Sequence, residues 1–92
     1  MQNMIVVDLN GFSLEKNITI IQKDKENVIT KARIGDMAEY CANLVCKYGV
    51  QCLKVLGPAS FAPQIASDIR DVAKKEYNYS LLEIEVITKW LI

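Results

Sequence analysis

The stretch "IVVDLNGF", Ile5 to Phe12, decides how this chain folds. It is an apolar run that stops at one aspartate and turns on Asn-Gly. The run, almost continuously apolar from Met4 to Leu9, has the pattern of a short strand covered on both faces, which places it in the middle of a sheet. Asn10-Gly11 is a strong short hairpin signal, because both residues tolerate positive φ, so the chain is expected to turn back antiparallel. Asp8 then has two readings. It is a metal-binding carboxylate at the end of a central strand, or its side chain bonds the backbone of the turn, as Asx residues beside turns do.

Working outward, Phe12, Leu14, Ile18 and Ile20 share one parity, and Ser13, Glu15, Asn17 and Thr19 the other. This predicts a long second strand from Phe12 to about Ile21, with Lys16 interrupting the apolar set. The charged "QKDKEN" that follows has the composition of an exposed turn. In "VITKARI", Val28, Thr30, Ala32 and Ile34 stand opposite Ile29, Lys31 and Arg33, which predicts a third antiparallel strand. A helix starting early is the competing reading there.

Gly35 breaks that pattern. Asp36 with Glu39 three residues later resembles a capping box, and Met37, Tyr40, Cys41, Leu44, Val45 and Tyr48 follow at helical spacing until Gly49. "VQCLKVL", Val50 to Leu56, reads as another short strand buried on both faces. "GPASFAP" is a loop leading into a helix whose first turn can hold a proline. In that helix Ile65, Ile69, Val72, Ala73 and Tyr77 form the inner stripe, and Asp68, Arg70, Asp71, Lys74 and Lys75 the wet one. Asn78 and Ser80 end it. Finally Leu82, Ile84 and Val86 alternate with Glu83, Glu85 and Ile87 before the tail "TKWLI".

The expected fold is α/β: a three-stranded antiparallel meander followed by α-β-α-β, in one domain over residues 1–92. Right-handed crossovers and a central first strand favour a mixed five-stranded sheet of order 3-2-1-4-5, with both helices available to cover its faces.

Composition narrows the function. Eleven basic residues balance eleven acidic ones among 92. No overall field therefore draws the protein to nucleic acid or anionic membrane. No apolar stretch approaches the roughly 18 residues of a membrane span, and no secretory signal pattern opens the chain, so a cytoplasmic protein is expected. Cys41, Cys46 and Cys52 lack metal-finger spacing, and there is no histidine, so they read as reduced and mostly buried. Without histidine the usual hydrolase triads are excluded, leaving carboxylates, lysines or a metal for any chemistry.

The element order, with Asp8 near the end of the first strand and a hairpin after it, resembles the ribonuclease H-like core shared by ribonuclease H, Holliday-junction resolvases and the actin-like ATPases. The resemblance implies two divalent metals held on several carboxylates. Asp8 matches the first ligand and Glu39 a second, from the first helix. Where ribonuclease H takes a third, this chain has Leu56, Gly57 and Pro58, and only five residues follow Ile87, where a helix with the last would lie. Actin-like ATPases approach phosphate through an Asp-x-Gly turn, and "DLNG" places its glycine one residue late for that.

Other candidates are set against plainer roles. Glu39 can be a capping residue. Gly57 and Ser60 sit where open α/β sheets bind ligands, before a helix start that could take an anion, and Ser60 can equally be the N-cap. Lys23, Lys25, Lys31 and Arg33 cluster but are interleaved with Asp24 and Glu26 and lack aromatics, which suits a solvated edge better than nucleic acid. Trp90, Leu91 and Ile92 form an apolar tail, extended by Tyr77 and Tyr79 into a candidate interface.

The function expected is therefore a small non-catalytic cytosolic binding protein, a homodimer with a protein partner, no cofactor, and no nucleic-acid or membrane partner. Its compact, Lys-, Asn- and Ile-rich character resembles accessory proteins of phages and mobile elements that act on a host macromolecule. The alternatives are a reduced ribonuclease H-like phosphodiesterase using Asp8 and Glu39 with magnesium or manganese, and a small-anion sensor at Gly57 and Ser60.

Overall fold

The computed structural model describes residues 2–88. Strands β1 (Met4–Asp8), β2 (Glu15–Ile21) and β3 (Val28–Arg33) precede helix α1 (Met37–Lys47), strand β4 (Cys52–Gly57), helix α2 (Ala62–Tyr77) and strand β5 (Glu83–Thr88). One sheet holds all five strands in the order β3-β2-β1-β4-β5, as the sequence implies. β1 pairs antiparallel with β2 and parallel with β4. Residues 28–33 are strand, antiparallel to β2, so the early-helix reading does not hold.

Apart from Cys52, the buried side chains of the strands fall on one face of this sheet. Ile5 and Val7 on β1, Ile18 and Ile20 on β2, and Leu53 and Val55 on β4 are side by side in register, and each is at most 1% exposed. Met37, Cys41, Leu44 and Val45 of α1 and Ile65, Ala66 and Ile69 of α2 complete the same core. The two helices also pack on each other. Both therefore lie over one face, where helices divided between the two faces were an open expectation. The reason is chirality. The crossovers β3-α1-β4 and β4-α2-β5 step across the sheet in the same direction, and right-handed connections in one direction put their helices on one side.

β1 and β4 are accordingly not covered on both faces. Met4, Val6 and Asp8 on β1, and Lys54 and Leu56 on β4, remain partly exposed on the other side. Their apolar character mimics a two-sided strand, but no described element lies over them.

The link from β1 to β2 also departs from a tight hairpin. Leu9 continues along β4, its N–H donating to the Leu56 carbonyl at 2.7 Å, and its side chain is buried. Pairing with β2 resumes only through Asp8 and Asn17. The second strand thus begins at Glu15, not Phe12, and Phe12 and Leu14 stand in solvent at 105% and 74% exposure. Lys16 takes the inward place instead. Its stem is buried, while Nζ donates to the Gly11 carbonyl at 2.8 Å, so the charge escapes the core by holding the loop.

α1 ends in a Schellman arrangement, with Gly49 at φ 59° and the Val50 N–H reaching the Val45 carbonyl at 2.9 Å. α2 ends on Asn78 in the left-handed conformation, φ 51°. Among the described residues no helix is long and apolar enough to cross a membrane.

Candidate functional site

Asp8 closes the turn that follows it. One carboxylate oxygen, Oδ1, accepts from both the backbone N–H and the side-chain Nδ2 of Asn10, each at 3.0 Å. This is the Asx geometry. Asp8 has the parity of the uncovered sheet face, whereas Glu39 is exposed on α1, in the helix layer on the other side. The sheet separates them. Glu83 and Glu85 share the uncovered face with Asp8, but β4 stands between β5 and β1. Among the described residues, no three His, Cys, Asp or Glu side chains come close enough to hold a metal ion.

The capping box at α1 does not form, since Asp36 makes no side-chain cap bond. A 3-10 turn over Ile34–Asp36 runs directly into the helix, and its Ile34 carbonyl accepts the Met37 N–H. The first turn therefore needs less from a side chain. Ser60 is likewise not the N-cap of α2. Phe61 holds that position without a side-chain bond, and Ser60 is exposed. The Pro58 carbonyl accepts the N–H groups of Phe61 at 3.2 Å and Ala62 at 2.9 Å, and Pro63 has none to offer. That leaves the helix start short of donors for an anion. Gly57 has a packing role: a Cβ there would stand 2.8 Å from Leu9 Cβ.

The aromatic residues before β5 divide. The Tyr79 ring packs on the core and its hydroxyl donates to the Val50 carbonyl at 2.6 Å; burial first, then the nearby Cys46, push its pKa up. Tyr77 is exposed, and its hydroxyl accepts from Asn43 Nδ2 at 3.2 Å. Trp90, Leu91 and Ile92 lie outside the described residues. Tyr40, expected on the inner stripe of α1, stays 38% exposed and ties the helix to the edge strand, its hydroxyl 2.7 Å from Thr30 Oγ1.

What the tertiary structure adds is the uncovered sheet face. Register places three rows across it. Lys31, Asn17, Asp8, Leu56 and Ile87 form the first; Ile29, Thr19, Val6, Lys54 and Glu85 the second; Ile21, Met4, Cys52 and Glu83 the third. Its middle mixes partly exposed apolar residues, Met4, Val6, Ile21 and Leu56, with Asn17, Thr19, Asp8 and Lys54. The β3 side carries Lys31 and Arg33, and the β5 side Glu83 and Glu85. Lys54 meets Glu85 at 3.4 Å. Cys52 is the buried exception on this face. Its thiol lies 2.9 Å from Gln2 Oε1 and 3.5 Å from Glu83 Oε2, and burial, then the Glu83 carboxylate, raise its pKa. A shallow depression beside it is lined by Met4, Cys52, Leu53, Lys54, Glu83 and Glu85. Alternation alone does not reveal this face, because near-continuous apolar runs carry no parity.

No family model matches the chain, and no curated protein does. Among solved structures it is similar to the PPX-GPPA enzyme of Aquifex aeolicus, at 16% identity and a TM-score of 0.44, over 95% of this chain and 36% of that one. The chain thus spans well under half the length of that enzyme.

Proposed function

We propose that this chain is a binding domain without chemistry of its own, acting in the cytoplasm by laying the open face of its sheet on another protein. The observation that carries this reading is the set of partly exposed apolar side chains in the middle of that face, on strands interior to the sheet. A sheet with one wet side ordinarily turns polar residues to the water. Here Met4, Val6, Ile21 and Leu56 take that side between Asp8 and Lys54, with further charges along its two edges. An apolar centre within a polar rim is the anatomy of a protein interface. Three free thiols suit a reducing compartment.

The enzymatic reading has no observation in its favour, since Asp8 and Glu39 lie on opposite sides of the sheet. The anion-sensor reading meets a helix start whose donors are partly taken by Pro58.

The test is recovery of bound protein, counting both host proteins and a differently tagged copy of this chain, by wild type and Val6→Lys in native cells. Val6 is partly exposed and outside the core, so the lysine is expected to fold, which a thermal melt checks. At least a tenfold loss of recovery supports the reading. Equal recovery by the two proteins would overturn it.

A further inference from the structure

We infer that the occupant of the open sheet face is a second copy of this chain, stacked so that the β3 edge of each protomer lies over the β5 edge of the other. This deepens the binding reading above and rests on it. The inference comes from how charge is laid out on the face.

On the β3 side the open face presents Lys31 and Arg33, and on the β5 side Glu83 and Glu85; all four are exposed. Neighbouring charges temper both sides. Glu15 stands beside Arg33 in register, and Lys54 pairs with Glu85. One net positive charge remains on the first flank and one net negative on the second. Between them Met4, Val6, Ile21 and Leu56 are interspersed with Asn17, Thr19, Lys54 and Asp8, whose carboxylate accepts from the neutral Asn10.

Such a face is complementary to itself in one orientation. β1 is the middle strand of five. A twofold axis parallel to the strands, passing over β1, exchanges left and right, so the basic edge of one sheet covers the acidic edge of the other. A twofold axis across the strands sets each edge on its own equivalent, basic on basic and acidic on acidic. Like charges at the edges suppress the second arrangement and opposite edge charges favour the first, which also brings the two Asp8 carboxylates toward each other on β1 beneath the axis. Aligned stacking of two sheets about 10 Å apart is an ordinary way to bury two apolar faces. The contact is isologous, so it closes at two copies.

The size of the face sets the strength. Five strands about 4.8 Å apart, with about three rows of outward side chains, give a plan area of roughly 400 Å² on each protomer. That is at the low end for specific interfaces, so the dimer is a weak and reversible one.

The experiment is sedimentation velocity from about 1 to about 500 µM, a span suited to a contact of this size. Wild type is expected to shift from monomer to dimer across that range. The variant Lys31→Glu with Arg33→Glu makes both edges acidic and is expected to raise the dissociation constant at least about tenfold, as is Glu83→Lys with Glu85→Lys, which makes both basic. The fourfold variant reverses the sign of both edges and, with Glu15 and Lys54 now adding to them, makes each more strongly charged, so it is expected to dimerise at least as tightly as wild type. All positions are exposed, and circular dichroism checks that each variant folds.

Wild type that stays monomeric throughout overturns the inference, as does a dimer indifferent to either edge reversal, or one that the fourfold exchange does not restore. A monomeric wild type whose recovery of other proteins is still lost with Val6→Lys would remove the second copy and leave the binding reading standing.

Discussion

The Asp8 carboxylate is bound twice by Asn10, through one oxygen, at 3.0 Å from both the backbone N–H and the side-chain Nδ2. The aspartate that ends the first strand thus shapes the turn after it. Asp8→Ala is expected to cost about 1 kcal/mol of stability, read from the urea midpoint, and Asp8→Asn less, because the amide keeps an acceptor. Millimolar magnesium or manganese is expected to leave the wild-type melting temperature within about 1 °C, since a ligand must bind the folded state to raise it. A metal-dependent rise that Asp8→Asn abolishes would make Asp8 a ligand.

Lys16 separates stem from charge. Lys16→Met keeps the buried stem and loses the bond to the Gly11 carbonyl, so it is expected to cost about 1 kcal/mol; Lys16→Ser loses both and is expected to cost about twice that. Equal losses in chemical denaturation would mean that the ammonium contributes nothing.

Gly57 and Gly35 give opposite outcomes on replacement by alanine. At Gly57 the new Cβ would meet Leu9 Cβ at 2.8 Å, whereas at Gly35 no heavy atom lies within 4 Å. Gly57→Ala is expected to cost about 1–3 kcal/mol and Gly35→Ala to stay within about 0.5 kcal/mol. Thermal melts of the pair decide it.

Phe12 is fully solvent-exposed, and Ile18 is 0% exposed. Phe12→Ser is expected to leave stability within about 0.5 kcal/mol, while Ile18→Ala costs about 2–5 kcal/mol. A large loss at Phe12 would mean that the strand starts earlier than Glu15.

Burial pushes the Cys41 thiol up to about 12. A thiol with a raised folded pKa holds its proton in the native state after the unfolded chain has released it. Its stabilising contribution is therefore complete below about pH 8.5 and declines as pH rises toward 12, by about 1.4 kcal/mol per unit. Wild type should lose stability between pH 9 and 11 more steeply than Cys41→Ala, measured by urea denaturation at each pH. In native protein at pH 8, a thiol reagent should modify exposed Cys46 first and reach Cys41 only on unfolding.

Local chemistry alone determined much of this protein. Helical spacing from Met37 to Val45 and from Ile65 to Ala73 marked the buried stripes, Gly49 and Asn78 marked where the helices stop, and period-two alternation marked β3 and β5. Element order with right-handed connections was enough to place β1 in the centre of the sheet. These features depend on neighbours a few residues apart or on chirality, and both are written in the chain.

The tertiary structure decided which face is wet. "MIVVD" and "CLKVLG" have too few polar residues to show a parity, so covered and open sides look alike until both crossovers are seen to step the same way. It also decided that Leu9 follows β4 rather than turning at once, because its side chain fills the space above Gly57. That leaves Phe12 and Leu14 outside the strand, while Lys16 keeps the inward parity it shares with Ile18 and Ile20. Leu9 and Gly57 lie 48 residues apart in sequence, and no local pattern around Asn10-Gly11 records that they pack together.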